Sequence, residues 1–386
     1  MFTSLRKAVL HKTNLFSSLN ISPSSLIRIR FISTDSITTH HNSFTISYLI
    51  NSCGLSQQKA ISASNQVHFE SSTNPDSVLT LFRDNGFSNS HISKIIAMYP
   101  ILLIFKVDKT LKPKFDYFNS KGLSGPELTK VLCRNPNVMG SSLEKTIIPS
   151  INLLESIVGT REKVIAMLKR SMNVLPRIKT VESNIALLRS HGVPMSNIQK
   201  LLVTQPRVFS RNASRFSEKV EEVMKMKFDP SRQAFLAAIQ VLSAMSRSSL
   251  DAKFCLYKSW GWSEDQVQCA FRKQPYCMTL SEENIMLTMD SFVNKFGYAP
   301  SSIAEQPIVL MFSCEKRIFP RCSAMQLLFK KGKVKQSTTL ISFLQMPEDV
   351  FLKKYISRFY KEVPELLTVY PEEGKMNGLD ISCSVV

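Results

Sequence analysis

Glycine is scarce in this chain, with 12 residues among 386. Residues that favour helices are plentiful by comparison, so the composition predicts a mainly helical protein. Long apolar runs are missing as well. The best of them, "ILLIF" at 101–105, falls far short of the roughly 20 residues that span a bilayer. We therefore expect a soluble mature protein that has no membrane partner.

The usual sequence signatures of catalysis and of metal binding are also missing. The eight cysteines form no C-x-x-C pair, and all six histidines lie at or before His191. Reduced, buried thiols are then expected in place of a zinc site or a disulfide framework. The chain has no phosphate-binding loop, nucleophile elbow or carboxylate dyad at motif spacing. We expect no cofactor, no metal and no enzymatic activity.

The first 34 residues lack acidic side chains altogether, since the first carboxylate is Asp35. The same segment holds five Lys or Arg and many serines, a composition typical of an organelle transit peptide. Its "RIRFIS" ending favours mitochondria, with plastids as the alternative. We predict a transit peptide at 1–34, a linker at 35–43, and the mitochondrial matrix as location, the chloroplast stroma being the alternative.

The chain carries 49 Lys and Arg against 30 Asp and Glu, a net charge of +19. The first 74 residues hold six basic and two acidic side chains, and residues 346–386 hold five and seven. The excess therefore lies in the middle of the chain, which indicates a polyanionic partner. A basic protein that its charge merely keeps soluble is the alternative interpretation.

One phrase recurs along the chain: an amphipathic pattern that ends in a proline. The recurrent positions, two of which lack the proline, are Pro100, Pro136, Met172, Pro206, Ser243, Pro275 and Pro307. A glycine lies upstream of each of these amphipathic patterns, except near Asp229, where the glycine is missing. A period in the mid-thirties is typical of a solenoid of helical hairpins. We predict an all-α superhelix of about eight to nine repeats of roughly 35 residues at 44–370, followed by a tail at 371–386.

The pattern inside each repeat explains the proline. Apolar residues lie eight, five and four positions before it, as in Ile92, Ile95 and Ile96, which forms one buried helix face. The proline ends that helix, and an apolar pair such as Leu102 and Leu103 follows. Each unit is then a helix, a glycine turn, a second helix, a proline corner and a short helix, stacked into a curved array with one concave surface.

These residues resemble the mitochondrial transcription termination factor (mTERF) family, in particular its plant organellar branch. The likeness rests on "FTISYLINSCGLS" (44–56), "PDSVLTLFRDNGFSNSHISKIIAMYPILL" (75–103), "FNSKGLSGPELTKVLCRNPNVMGSSLEKTIIP" (118–149), "GWSEDQVQCAFRKQPYCM" (261–278) and "QPIVLMFSCEKRIFPR" (306–321). Tetratricopeptide and pentatricopeptide repeats lack the recurrent P-x-[VL]-[LMF] corner. The resemblance implies a basic concave groove that binds nucleic acid in an organelle, with roles in transcription termination, initiation or transcript processing.

Basic residues recur at two places in the unit and are the candidate nucleic-acid ligands. Those near the end of the second helix are Arg134, Lys169, Arg170, Arg207, Arg272 and Lys273, and those expected in the short third helix are Lys109, Lys145, Arg215 and Lys316. We add Arg211, and Arg317 and Arg321 from the densest cluster, which continues through "KKGKVK" at 330–335. Stacked repeats would align such charges along a phosphate backbone. The alternatives are cations that stabilise helix ends or lie on a solvated convex face.

Four aromatic residues, Tyr99, Tyr276, Trp260 and Trp262, are candidates for stacking on bases, although core packing is the stronger expectation for the two tryptophans. We expect a monomer that binds double-stranded DNA, with organellar RNA as the alternative ligand. Organellar transcription or splicing proteins are candidate further partners. A protein-interaction scaffold is a third interpretation.

Overall fold

The computed structural model describes residues 38–370, with side chains from 43 onwards. The predicted transit peptide at 1–34 and the tail at 371–386 lie outside the described residues. Throughout the described range the secondary structure is helical, which confirms the all-α prediction. The first helix begins at Thr38, inside the segment that we expected to be a linker. None of the described helices is both long and apolar enough to cross a bilayer.

Nine successive helix pairs, which we number as units, fill residues 38–344. They are α1 (Thr38–Asn51) and α2 (Gln57–Ser64), α3 (Thr73–Asp84) and α4 (Asn89–Met98), α5 (Lys112–Ser120) and α6 (Gly125–Leu132), α7 (Ile148–Val158) and α8 (Arg161–Arg170), α9 (Ile178–Ser190) and α10 (Met195–Thr204), α11 (Ala213–Lys225) and α12 (Gln233–Ala244), α13 (Arg247–Ser259) and α14 (Glu264–Lys273), α15 (Glu282–Asp290) and α16 (Pro300–Glu305), and α17 (Phe319–Lys330) and α18 (Leu340–Leu344). Three short helices, α19 (Glu348–Phe351), α20 (Ser357–Phe359) and α21 (Leu366–Val369), close the array.

Glycines in the left-handed region join the two helices in eight of the nine units, as the sequence predicts. Their φ angles range from 66° at Gly332 to 90° at Gly159 and Gly261, a conformation that costs glycine little because it has no Cβ. Unit 6 lacks the glycine. There Lys227 takes its place with φ 60°, and among the described residues it is the one non-glycine with positive φ.

Each corner proline starts a short 3₁₀ helix, and the preceding α-helix ends before it. The corner segments are Pro100–Ile104, Pro136–Gly140, Met172–Val174, Pro206–Val208, Pro275–Thr279 and Pro307–Met311. Met172 starts the corner of unit 4 without a proline, and Ser171 before it is extended with φ −162°. At Ser243 the corner is absent: α12 runs on to Ala244, and α13 starts at Arg247.

The short helix of the unit is the corner itself. The K-x-x-x-P phrases, which we expected in a third helix, instead begin the first helix of the following unit. Lys109, Lys145 and Lys316 lie in π-helical turns that lead directly into α5, α7 and α17. These π turns are Val107–Leu111, Leu143–Ile147 and Cys314–Ile318, and two more occur at Ser291–Lys295 and Leu352–Ile356.

A buried polar side chain of the first helix holds the corner in place in most units. It donates a hydrogen bond to a backbone carbonyl of the corner. That carbonyl would otherwise lack a hydrogen-bond donor, because the regular helical bonding ends there. Asn184 Nδ2 donates to Phe209 O at 2.9 Å and to Arg211 O at 3.0 Å, and Lys114 Nζ donates to Met139 O at 2.5 Å. Equivalent bonds join Asn74 to Leu103 O, Ser150 to Leu175 O and Tyr257 to Cys277 O.

Second helices of neighbouring units pack closely along the array from α2 to α16, with α4 and α6 as the exception. Packing is extensive between α2 and α4, between α6 and α8, and between each later pair of neighbours up to α14 and α16, whereas among the described first helices extensive packing is confined to α9 and α11. A curved stack brings elements closer together on its inner side. The second helices therefore line the concave side of the array. The corners of units 4 and 5 contact each other, as do those of units 7 and 8.

Candidate nucleic-acid interface

Charges are segregated along the second helices from α4 to α14. Carboxylates lie in the first turns of α6, α8 and α14, at Glu127, Glu162, Glu264 and Asp265, while α4, α10 and α12 contain none. Cations occupy the last two turns of most of these helices, at the corner end. This arrangement is favourable for the helix macrodipole. Because the cations recur in successive second helices, they also form a positively charged band on the concave side.

We call this band the basic ridge. It consists of exposed cations six or two positions before the corner residue: Lys94, Lys130, Arg134, Arg170, Lys200 and Lys273. Six and two positions before the corner are one helical turn apart, so both lie on one helix face. Among the described residues, none of the six forms an ion pair. Because these cations are exposed and are not neutralised by carboxylates, they can bind phosphate oxygens.

Lys94, Lys130 and Lys200 are ridge residues that do not belong to the candidates predicted from the sequence. A signal for them was present, because all three share one register, six residues before Pro100, Pro136 and Pro206. Their recurrence is hidden because the same position is Ala166, Ala237 or Cys269 in other units.

Three ridge side chains also join neighbouring units. Lys200 Nζ donates to Gln233 Oε1 at the start of α12, at 3.1 Å. Arg170 Nε donates to Val203 O at 3.2 Å, and Lys273 Nζ donates to Glu305 O at 2.9 Å. Both acceptors lie at the C-terminal end of the next second helix, where carbonyls lack helical partners. Arg170 and Lys273 therefore stabilise the end of a neighbouring helix, which is the alternative role that we gave for these cations. Both side chains nevertheless remain exposed.

Two other candidates near the second-helix ends are less available. Lys169 Nζ lies 2.6 Å from Glu127 Oε2 of the preceding unit, which neutralises its charge locally. Arg272 is half-buried beside a cavity that Glu222, Asp251 and Glu264 also line. Neither residue belongs to the ridge.

The candidate lysines at the starts of first helices each follow a carboxylate that compensates their charge. Asp108, Glu144 and Glu315 immediately precede Lys109, Lys145 and Lys316 and are exposed like them. A carboxylate at a helix N-terminus is favourable, and a lysine there is not. The local charge of these three pairs is close to zero, so we rank them below the ridge.

A cationic group without adjacent carboxylates surrounds the corner of unit 5. Arg207, Arg211 and Arg215 are all exposed there. Asn212 caps α11 by accepting from Arg215 N at 3.4 Å, which fixes the start of that helix. These arginines lie beside the corner end of α10 and extend the basic surface around Lys200.

Arg321 is not a nucleic-acid ligand, contrary to the sequence prediction. Its side chain is fully buried. Its Nη1 donates to Phe343 O at 2.7 Å and to Met346 O at 2.6 Å, and its Nη2 donates to Glu348 Oε2 at 2.7 Å. The physical reason is that this arginine takes the anchoring role that Asn184 has in unit 5, with α18 as the element that it holds. Arg317 is half-buried, its guanidinium 5.2 Å from the ring centre of Phe312.

Burial acts to raise the pKa of Glu348, but the hydrogen bonds from Tyr370 and Arg321 outweigh burial and hold that pKa below its ordinary value of 4.5. The carboxylate is therefore ionised at neutral pH and compensates the buried guanidinium. This ion pair connects α17, α19 and the chain that follows α21, since Tyr370 O–H donates to Glu348 Oε1 at 2.5 Å.

The aromatic candidates serve packing first. Trp262 is buried and stacks on Tyr257 with ring centres 4.7 Å apart. Tyr99 faces the next corner so closely that a Cβ at Gly140 would clash with its hydroxyl. Tyr276 is half-buried and donates to Gln240 Oε1 at 2.9 Å. Of these aromatic candidates, Tyr276 alone lines a cavity beside the ridge.

The repeat geometry and the ridge agree with a comparison against protein families. The mTERF family model matches residues 79–297 and 235–352, two overlapping regions that together cover most of the repeat array. The chain belongs to the mTERF family. A search of curated proteins gave no match.

Membership confirms the resemblance at the level of the family. Proteins of the mTERF family bind nucleic acid, are not enzymes and regulate gene expression in organelles. The basic ridge is the surface of this member that fits such a role.

Proposed function

We propose that this mTERF protein binds double-stranded DNA through the basic ridge and regulates mitochondrial gene expression. The observation that carries the proposal is the separation of charge on the concave side. The last two turns of α4, α6, α8, α10 and α14, with the residues that follow them, carry exposed cations, and α12 carries none. The carboxylates of these helices lie at the opposite end. A row of this kind neutralises phosphates and releases their counterions, which gives affinity that does not depend on base sequence.

RNA is the second candidate ligand, and one cavity favours it. A recess of about 310 Å³ lies between α10, α12 and the corner of unit 7, beside the ridge residues Lys200 and Lys273. Amide side chains of Asn197, Gln233 and Gln274 line it together with Tyr276, and within the described part of the chain no carboxylate does. Amides and an aromatic ring are groups that bind unpaired bases in RNA. An RNA ligand would make the protein a splicing or processing factor.

The first test compares a ridge variant with a charge-matched control. Lys94→Gln, Lys130→Gln and Lys200→Gln, combined in one protein, remove three ridge charges. Lys179→Gln, Arg189→Gln and Lys225→Gln remove three exposed cations from the first helices α9 and α11. Fluorescence anisotropy then measures binding of duplex DNA and of single-stranded RNA at several salt concentrations.

We expect the ridge variant to lose about tenfold or more in affinity for its ligand. Its salt slope on duplex DNA should fall by about 0.9 for each phosphate that the variant no longer neutralises, while the control keeps both values. Equal behaviour of the two variants would remove the ridge from the binding surface. Failure of the wild type to bind either polymer would favour a protein-interaction scaffold with an acidic partner.

The physiological ligand and the location require an experiment in organelles. Crosslinking of the tagged protein, with DNA and RNA recovered separately from isolated mitochondria, distinguishes a transcription factor from a splicing factor. Enrichment of one DNA locus supports our proposal, and enrichment of RNA around an intron supports the alternative. The mitochondrial matrix and the plant organellar branch are part of the proposal, supported by the acid-free first 34 residues and by the motifs quoted above.

A further inference from the structure

The last unit departs from the others in its turn. Where a glycine joins the two helices, the second helix normally begins two or three residues later, as with Gly192 and Met195. In unit 9, the second helix begins eight residues after Gly332, at Leu340. The inserted loop reads "KVKQSTT" at 333–339 and thus brings cations and hydroxyls to a place where the other units have only a tight turn.

This loop forms one wall of a cavity, and the chain after α19 forms the other. The cavity has a volume of about 590 Å³, and no carboxylate among the described residues lines it. Its cations are Lys333 and Lys335 from the loop and Lys354 and Arg358 from the opposite wall. Lys333 is engaged by Glu362. The other three are exposed and form no ion pair among the described residues.

Local contacts orient these cations and leave their charges available. Lys354 Nζ lies 5.2 Å from the ring centre of Tyr355, and the Arg358 guanidinium lies 5.2 Å from that of Phe359. A stacked guanidinium keeps its N–H edge available for two oxygens of one anion. Both rings also line the cavity.

Hydroxyl donors complete the lining. Thr338 folds the loop by donating from Oγ1 to Lys335 O at 2.8 Å. Ser337 and Thr339 line the same cavity, and their hydroxyls make no hydrogen bond within the described residues. Three cations with free hydroxyls and no competing carboxylate match a phosphate group, which offers several acceptor oxygens and negative charge.

We propose that this cavity binds a phosphate group of the nucleic-acid ligand, with Lys335, Lys354 and Arg358 as its charged ligands. The inference rests on the proposed function for the source of that phosphate. The site is separate from the basic ridge, because it lies at the turn end of unit 9 whereas the ridge lies at the corner ends of the second helices. It would fix one end of the bound strand relative to the array.

The test uses the full chain, a cavity variant and a matched control. The cavity variant combines Lys335→Gln, Lys354→Gln and Arg358→Gln. The control combines Lys330→Gln, Lys353→Gln and Lys361→Gln, which remove the same charge from exposed positions nearby that do not line the cavity. Circular dichroism checks that both fold. Binding of inorganic phosphate is measured by calorimetry, and binding of a short duplex with or without 5′-phosphates is measured against salt concentration.

We expect the cavity variant to bind inorganic phosphate about tenfold more weakly or worse, with a salt slope on the duplex lower by about 0.9. The control should change neither. A loss that needs the 5′-phosphate identifies a strand end as the source, and a loss without it identifies an internal phosphodiester. Equal effects of the two variants, or phosphate binding that survives in the cavity variant, would overturn the site.

The two proposals fail in different ways. If the wild type binds phosphate through the cavity but binds no nucleic acid, the proposed function fails and the site stands, with free phosphate as its ligand. If nucleic acid binds but the cavity variant behaves like the control, the function stands and the site fails.

Discussion

Lys227 carries backbone strain that the other turns avoid. Its φ of 60° brings its Cβ close to the following carbonyl, a conformation that costs a non-glycine residue roughly 1–2 kcal/mol. Every other described turn of this type has glycine at the equivalent place. The missing glycine of unit 6, visible in the sequence only as a gap near Asp229, is therefore a lysine forced into the same conformation by its neighbours.

We predict that Lys227→Gly stabilises the protein by about 0.5–1 kcal/mol, since relief of strain exceeds the added flexibility of the unfolded chain. Urea denaturation followed by circular dichroism measures the change. Gly192→Ala is the control, and it should destabilise by about 1 kcal/mol because φ is 80° there. A destabilised Lys227→Gly variant would mean that the lysine side chain stabilises this turn by more than the strain costs.

The Arg321–Glu348 pair makes the C-terminal end of the array sensitive to acid. The pKa of Glu348 in the folded protein lies below its ordinary value of 4.5. A carboxylate of this kind contributes stability at pH values above 4.5, and that stability is lost as the pH falls through the folded-state pKa.

We predict that Glu348→Gln lowers stability at pH 7 by up to about 1 kcal/mol, since the carboxylate is partly exposed and screened. The difference between variant and wild type should shrink as the pH falls below 4.5. Thermal unfolding at a series of pH values checks it, with the exposed Glu218→Gln showing the behaviour of a solvated carboxylate. A difference that does not depend on pH would show that the pair does not act through ionisation.

At the level of the element, the corner depends on a side chain from the first helix of its own unit. Asn184 is buried in α9 and satisfies two carbonyls beyond Pro206. Lys114, Ser150 and Tyr257 do the same work with different chemistry. Asparagine, lysine, serine and tyrosine share no sequence pattern. The corner proline can therefore be recognised in the sequence, whereas the side chain that donates to the corner carbonyl cannot.

Replacing this donor should destabilise the corner. We predict that Asn184→Leu costs about 1–3 kcal/mol, because buried carbonyls lose their donor. Chemical denaturation measures the loss, and Asn152→Leu, on the exposed side of α7, should change stability by less than about 0.5 kcal/mol. If the two substitutions had similar effects, the corner would be held by its apolar pair alone.

At the level of the whole molecule, equal numbers of lysines contribute differently to phosphate binding, depending on the surface on which they lie. Lys109, Lys145 and Lys316 recur as regularly as the ridge lysines, but each follows a carboxylate. Because a neighbouring carboxylate offsets the attraction of a lysine for phosphate, recurrence by itself does not identify a binding surface.

We predict that Lys109→Gln, Lys145→Gln and Lys316→Gln, combined, weaken nucleic-acid binding less than the ridge variant Lys94→Gln, Lys130→Gln and Lys200→Gln does. We expect a change of about threefold or less against about tenfold. Anisotropy titrations of both proteins at one salt concentration decide it. A larger loss for the first set would place the nucleic acid along the starts of the first helices.

The sequence by itself determined the repeat, its period and the place of most turns and corners, the absent corner at Ser243 being the exception. Glycine and proline restrict the backbone locally, so their effect is readable without tertiary contacts. Apolar spacing likewise predicts which residues are buried, as the pairs that follow each corner are.

Only the tertiary structure decided which polar residues are exposed and which are buried. Arg321 and Arg317 are close in sequence within one basic cluster, yet Arg321 is fully buried and Arg317 is not. The difference depends on α18 and α19, which fold back over α17 from more than 20 residues away. The cavity of unit 9 likewise forms between two segments separated in the chain. A charge acquires a role through the surroundings that distant residues provide, and local pattern does not encode those surroundings.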